Sequence, residues 1–319
     1  MCPPFAREAK VFLRPRPRLN RALKHLAIFD DVSTDMIART HNAFRDSAIR
    51  AADRLPLLSS VLHRSIRLLG QGDDVSISDL GTVIEEDAVI TGSLLAIANS
   101  VLYSRNSSVA SVRLAIARLG VNKTRNVLLG LTVSKCFNSV RILGTWSLAR
   151  FNAHSLAVAT LSDLLVQTVE SGDPEWAFMA GLLHDIGLPL LAVGLPEEFR
   201  SITANAANDA EIIERERDLL GFTHFDLGAE LLSRWNCPRM VQEAVWSCES
   251  VESANEQPPK LGAIVKTASL LADANGISTF DNGEDPERTI ELLDALKIPS
   301  PAEFIEKFKR EFSALQAAV

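Results

Sequence analysis

Residues 180–187 read AGLLHDIG, an apolar run that closes on a histidine and an aspartate before a glycine. Both His184 and Asp185 can bind a divalent cation, and a cation held by imidazole and carboxylate can activate water. Neighbours on a helix diverge by about 100° around its axis, so the pair cannot close a coordination sphere alone. Further ligands must come from other helices. His154 in FNAHSLAVATLSDLLVQ and His224 at the head of HFDLGAELLSRW are the available donors. His154, His184, Asp185 and His224, carried on three helices of a bundle, form the expected metal box.

Each member also has a plainer role. A histidine on an apolar helix face commonly finds a hydrogen-bond partner in the core, and His154 and His224 both fit that description. His224 lies in a first helical turn, where polar residues are frequent. Asp185 could serve only to orient a histidine. The pair at the end of AFMAGLL is the stronger signal, because two polar groups there are costly to bury unpaired. His25, His41 and His63 lie in segments without an acidic or histidine constellation and are expected to be structural or surface residues.

The elements that must position these groups are helices. Apolar residues recur at three- and four-residue spacing with no sustained alternation, so an all-α fold is expected. Caps mark the starts: Ser78 before DLGTVIEE, Asp87 before AVITGSLLAIANS, Asn122 before KTRNVLLGLTVSK, Asp173-Pro174 before EWAFMAGLLHD, Thr223 before HFDLGAELLSRW, and Pro238 before RMVQEAVWS. Gly120, Gly187 and Gly221 fall at expected helix ends, where positive φ is favoured. Segments 1–54 (an extension with an amphipathic helix), 55–275 (lobes 55–145 and 146–275) and 276–319 (two terminal helices) follow from this pattern. FIEKFKREFSALQ sets Phe304, Phe308 and Phe312 at four-residue spacing, a stripe expected to pack on the chain's own core.

Bulk properties narrow the function. The 319 residues are 47% hydrophobic and 23% charged, enough for a sizeable core. A net charge of −7 leaves no domain-wide basic footprint, and a single tyrosine, Tyr103, argues against stacking platforms, so no direct nucleic-acid binding is expected. The RPRPR cluster (Arg14, Arg16, Arg18) reads as a solvated tail. Polar residues interrupt every long apolar stretch, and no membrane span is expected. Cys2, Cys136, Cys237 and Cys248 form no C-x-x-C, and the N-terminus lacks a leader's apolar stretch; reduced thiols in the cytoplasm are the expectation. GQGDD at 70–74 is an acidic turn that would repel phosphate.

Several stretches together resemble a known family. LPLLSSVLHRSIRLL, ISDLGTVIEEDAVITGSLLAIANSVLYS, SVRLAIARLGVNKTRNVLL, HSLAVAT, AFMAGLLHDIG and LGFTHFDLGAELLSRWNCP, in that order, are similar to the HDOD proteins. These are bacterial signalling modules related to the HD and HD-GYP metal-dependent phosphohydrolases. The resemblance covers about residues 55–250 and implies a multi-helix HD-like bundle in two helical lobes, with the cleft between them as a regulatory surface. His154, His184 and Asp185 fit the first elements of the enzymes' pattern. The closing aspartate falls on Ser269, with Asp273 one turn on, about 6 Å away. The His-His pair of HD-GYP enzymes is replaced by Ser247 and Cys248, the lysine that often follows HDIG is Leu188, and no GYP is present.

The implied function is a non-catalytic signal-transduction output module acting through protein–protein contacts, with a degenerate metal site. Its expected partners are signalling proteins and a second copy in a homodimer. Too few residues precede the module for a receiver domain, so the signal is expected to arrive by association. No catalytic residue and no cofactor are expected. The alternative is a metal-dependent phosphohydrolase or cyclic dinucleotide phosphodiesterase, with His184 and Asp185 catalytic and iron, manganese or zinc bound. In a third reading the old cleft senses a small molecule without turnover.

Overall fold

The structure is a computed structural model. It describes residues 30–54, 76–99, 108–137, 146–169, 176–204, 208–235, 237–249, 259–279 and 285–317, with Arg64, Tyr103 and Ala206. Among these residues every extended element is a helix, as expected for an all-α chain. Arg14, Arg16, Arg18, His25, His63, Cys2, the LPLL opening, the 70–74 turn and the Asp173-Pro174 cap lie outside the described residues, as does the Cys136 side chain. His41 is half-buried.

The chain divides into two units, Met1–Ala43 and Phe44–Val319. In the first, residues 30–43 begin helix α1 (Asp30–Arg50). The second opens with the end of α1 and a 3-10 turn, Ala51–Arg54. Helix α2 (Ile77–Ile84) starts before the expected cap. The Ser76 hydroxyl, not that of Ser78, accepts from the Asp79 N–H at 3.2 Å, which places Ser78 inside the first turn. Helix α3 (Ala88–Ala98) is capped as expected, with the Asp87 carboxylate accepting from Val89 and Ile90 N–H at 2.9 and 3.1 Å. After α4 (Val112–Leu119), Gly120 turns the chain with φ 81°. Its carbonyl also accepts the N–H of Thr124 at 3.1 Å, so α5 (Val121–Phe137) starts directly from Gly120 and Asn122 is not the cap.

The centre of the second unit is helix α6 (Leu148–Thr168). Phe151, Leu156, Val158, Leu161 and Leu165 are buried on several of its sides, the pattern of a helix enclosed by others. Helix α7 (Ala177–Leu183) packs on it at backbone contact: a Cβ on Gly181 would sit 2.8 Å from the Ala159 Cα and from the Val158 carbonyl oxygen. Then follow α8 (Gly187–Gly194), α9 (Pro196–Thr203), α10 (Asp209–Leu220), α11 (His224–Arg234) and α12 (Arg239–Ser247). Thr223 caps α11 in a capping box with Asp226, and Pro238 opens α12, both as expected. Helix α13 (Leu261–Ala274) lies along α6, and α14 (Pro286–Ala295) leads to α15 (Pro301–Gln316), which also packs on α6. Phe304, Phe308 and Phe312 are buried there, so the expected stripe faces this chain's own core.

Ala177–Gly194 is apolar enough over 18 residues to pass a length-and-composition test for a membrane span, but 89% of it is buried in the fold. A turn at His184–Ile186 also breaks it.

Candidate metal centre

Two helix junctions bring the polar residues together. The first is the turn between α7 and α8, which carries His184 and Asp185. The second is the start of α11, where Thr223 fixes the chain and His224 is the first helical residue. Gly187 is needed here for contact and not for positive φ. It begins α8 instead of ending a helix, and a Cβ on it would stand 2.0 Å from the His224 carbonyl oxygen. Gly221, at φ 77°, does end α10 as expected. His154 reaches the same corner from the second turn of α6.

His154, His184 and Asp185 each offer one ligand atom, and these atoms lie within 4.8 Å of one another. Hydrogen bonds on the far side of each ring fix the tautomers. Nδ1–H of His154 donates to the Ile277 carbonyl at 2.8 Å. Nδ1–H of His184 donates to the Gly181 carbonyl at 2.8 Å. A carbonyl can only accept, so a proton belongs on Nδ1, and in the neutral ring Nε2 keeps its lone pair. Both Nε2 atoms face the same oxygen, Asp185 Oδ2, at 3.9 Å from His154 and 3.1 Å from His184. His184 Nε2 is buried without a hydrogen-bond partner. A lone pair directed at a carboxylate oxygen is repulsive until a proton or a cation lies between them. Two anchored imidazoles and one carboxylate, with the orphaned nitrogen among them, therefore fit a divalent cation.

His224 lies at the other oxygen. Its Nε2 is 3.5 Å from Asp185 Oδ1, and its Nδ1–H donates to Glu216 at 2.8 Å. The Glu216 carboxylate also accepts the His224 backbone N–H at 2.9 Å. Burial lowers the imidazole pKa, but the Glu216 and Asp185 carboxylates outweigh it and push it up to about 10. His224 thus sits between two carboxylates as a cation, with no lone pair to give a metal in that state. Burial raises the Asp185 carboxyl, but His184, when its Nε2 carries a proton, and His224 outweigh it by charge and hydrogen bonding and hold the group well below the usual carboxylate range.

The residues around the expected closing position also lie near this corner. Ser269 is buried on α13 and lines a pocket with His184 and Asp185. Asp273, one turn on, lies 3.5 Å from His154 Nδ1, the nitrogen turned away from Asp185. It stands behind the histidine, on the side away from Asp185. Burial pushes its pKa up to about 7. Cys248 also lines the pocket, but burial raises its thiol to about 12, and the sulfur bonds to the carbonyls of Ala244 and Gly262. It is a small core residue. Ser247 bonds to the Ala244 carbonyl.

Three contributors were not singled out in the sequence: Glu216, Ile277 and Lys266. Glu216 had a readable signal. It shares the buried face of α10 with Ile212, Ile213 and Leu220, and a carboxylate on an apolar stripe asks for a buried partner. Ile277 acts through its carbonyl, so its residue type carries no signal. Lys266 lines the pocket on α13.

A family model, that of the HDOD domain, matches residues 55–250. An uncharacterised protein of Treponema pallidum (strain Nichols) is 25% identical over 279 residues, which cover 83% of this chain and 51% of that protein. The chain thus spans about half the length of this curated relative. The crystal structure of an HDOD domain protein of unknown function from Geobacter sulfurreducens aligns with TM-score 0.67 and 21% identity, covering 88% of this chain and 97% of that one. A Shewanella amazonensis SB2B structure named "Putative phosphohydrolase" aligns with TM-score 0.65 and 23% identity over 85% and 97%. At these identities the two structures speak for the fold.

Proposed function

The chain belongs to the HDOD family, and from that premise we propose that it is a regulatory output module whose HD centre does not hydrolyse phosphate esters. The observation that supports this reading is that Ser269, which stands where the family resemblance places the enzymes' closing aspartate, lines the pocket beside His184 and Asp185, with Asp273 at the back of His154. A cation at this corner would be held by His154, His184 and Asp185. One carboxylate balances little of its charge, and affinity follows ligand charge and number. A bound divalent ion would supply Lewis acidity, while the chain's own residues orient the two imidazoles and restrict water. Output then passes through contacts with signalling proteins, as the family resemblance implies.

The phosphohydrolase alternative has one observation in its favour, the His184 Nε2 lone pair facing Asp185. One experiment separates the two. The full chain, loaded with Mn2+, Fe2+ or Zn2+, is assayed against a phosphodiester and a cyclic dinucleotide. We expect no turnover, and Ser269→Asp should tighten Mn2+ binding by about tenfold. Hydrolysis by the wild-type chain that disappears in Asp185→Ala would overturn the regulatory reading.

A further inference from the structure

The C-terminal helix is fastened by a polar cluster whose charges do not balance. Lys123 on α5 pairs with Glu311 on α15 at 2.7 Å, and the ammonium lies 5.9 Å from the centre of the Tyr103 ring. Asp163 on α6, against which α15 packs, adds a second carboxylate beside this pair. Asp163 is half-buried, and among the described residues it makes no ion pair. The other cation that acts on it, Arg125, has its guanidinium carbon 5.3 Å from the centre of the Trp176 ring. Every charged side chain of α15 apart from Glu311 is exposed. One ammonium therefore faces two carboxylates where water is scarce.

We propose that Asp163, Lys123 and Glu311 form a proton-sensitive latch on α15: the helix is held tightly while a proton neutralises Asp163, and loosens when both carboxylates are charged. The latch is independent of the metal corner, and α15 lies beyond the matched family segment, which ends at residue 250. Phe304, Phe308 and Phe312 stay buried under the helix in the docked state. They oppose its release at any pH, so the latch sets how often α15 opens locally and does not unfold the chain.

The direction follows from what α15 covers. Burial is the largest influence on the Asp163 carboxyl and raises its pKa. Glu311 adds to the rise, while Lys123, the Gln167 side chain and Arg125 oppose it without cancelling it. With α15 displaced, Asp163 regains water and loses the neighbouring Glu311 charge, so it holds its proton less tightly. A carboxyl that binds its proton more tightly in the docked state favours docking as pH falls, and opposes it once pH exceeds the docked pKa. Burial raises the Tyr103 pKa, and the Glu311 charge outweighs burial to raise that of Lys123, so near neutral pH the phenol stays neutral and the ammonium charged.

The test is amide hydrogen exchange of the full chain between about pH 5 and pH 8, read on a peptide over α15 and corrected for intrinsic exchange rates. A peptide over α2 serves as the reference for effects on the whole fold. Protection of wild-type α15 should fall by about threefold or more from the acidic to the basic end, while α2 does not follow. Asp163→Asn and Asp163→Ala both discard the charge, and each should hold α15 at its acidic-end protection across the range. Wild-type protection that does not change with pH overturns the proposal, and this series needs no variant. A change shared equally by α2, or one that persists in either Asp163 variant, overturns it as well.

Discussion

Two buried polar corners of this protein solve the same problem differently. At the C-terminal end, Lys123 on α5 and Glu311 on α15 form an ion pair at 2.7 Å, both nearly shielded from water. Burial lowers the lysine pKa, the Glu311 charge more than restores it, and the net shift is upward. Donor and acceptor match, and the pair fastens α15 to the bundle. At the HD corner, three histidines are each tied back by Nδ1, yet the groups in front do not all match. His224 completes a chain of alternating charge from Glu216 to Asp185, whereas a neutral His184 presents a lone pair to the same carboxylate. A corner that only stabilises can be closed within the chain. The HD corner is closed on its His224 side and open on its His184 side, which is where a cation fits.

The largest effect should come from breaking the closed side. Glu216→Ala leaves a buried imidazolium without its main counter-charge and should cost about 3–5 kcal/mol in denaturant unfolding at neutral pH. The pH dependence follows from the sign of the shift. The folded His224 pKa of about 10 lies above its unfolded value of roughly 6.5, so its stabilisation is complete below the latter and fades as pH rises through the former. The gap between wild type and Glu216→Ala should therefore narrow towards pH 10. A gap independent of pH would mean that His224 is neutral in the fold and that the contrast between the two sides is misplaced.

A smaller loss is expected at the other corner. Glu311→Ala strands a mostly buried lysine that keeps some contact with water, and should cost about 1–3 kcal/mol with Mn2+ uptake unaffected. Loss of ion uptake in this variant would show that the two corners are coupled. The smallest effect is expected at Cys248, which touches the pocket while bonding only to backbone. Cys248→Ala should cost about 1 kcal/mol and leave Mn2+ and Zn2+ affinity unchanged. A marked drop in Zn2+ affinity would make the thiol a ligand and add a fourth member to the open side.

Much of this was readable from residue order because the decisive interactions are local. Asp87 and Thr223 cap the helices they precede, and the phenylalanine stripe of α15 turns inward, each set within a few positions along the chain. The convergence of His154 with the HD pair was also readable, since a divalent site demands ligands from separate helices. Where the reading failed, the cause was competition or distance. Ser76 outcompetes Ser78 as a cap because either serine satisfies the local pattern. Gly187 looked like a helix end, but its real constraint is the carbonyl of a residue on another helix. The His224–Glu216 pair joins two helices around a turn, and periodicity alone does not say which polar groups on two apolar faces will meet.

The carbonyl of Ile277 settles which nitrogen His154 turns inward. The matched family segment stops at residue 250. A fragment trimmed to that segment would keep every imidazole and the aspartate, yet discard the one acceptor that dictates the ring's protonation form, along with the wall bearing Ser269. Its His154 could flip, and measurements on such a fragment would describe a looser chelator than the intact chain contains. For this chain, the bounds of the family match and the bounds of the buried corner fall at different places.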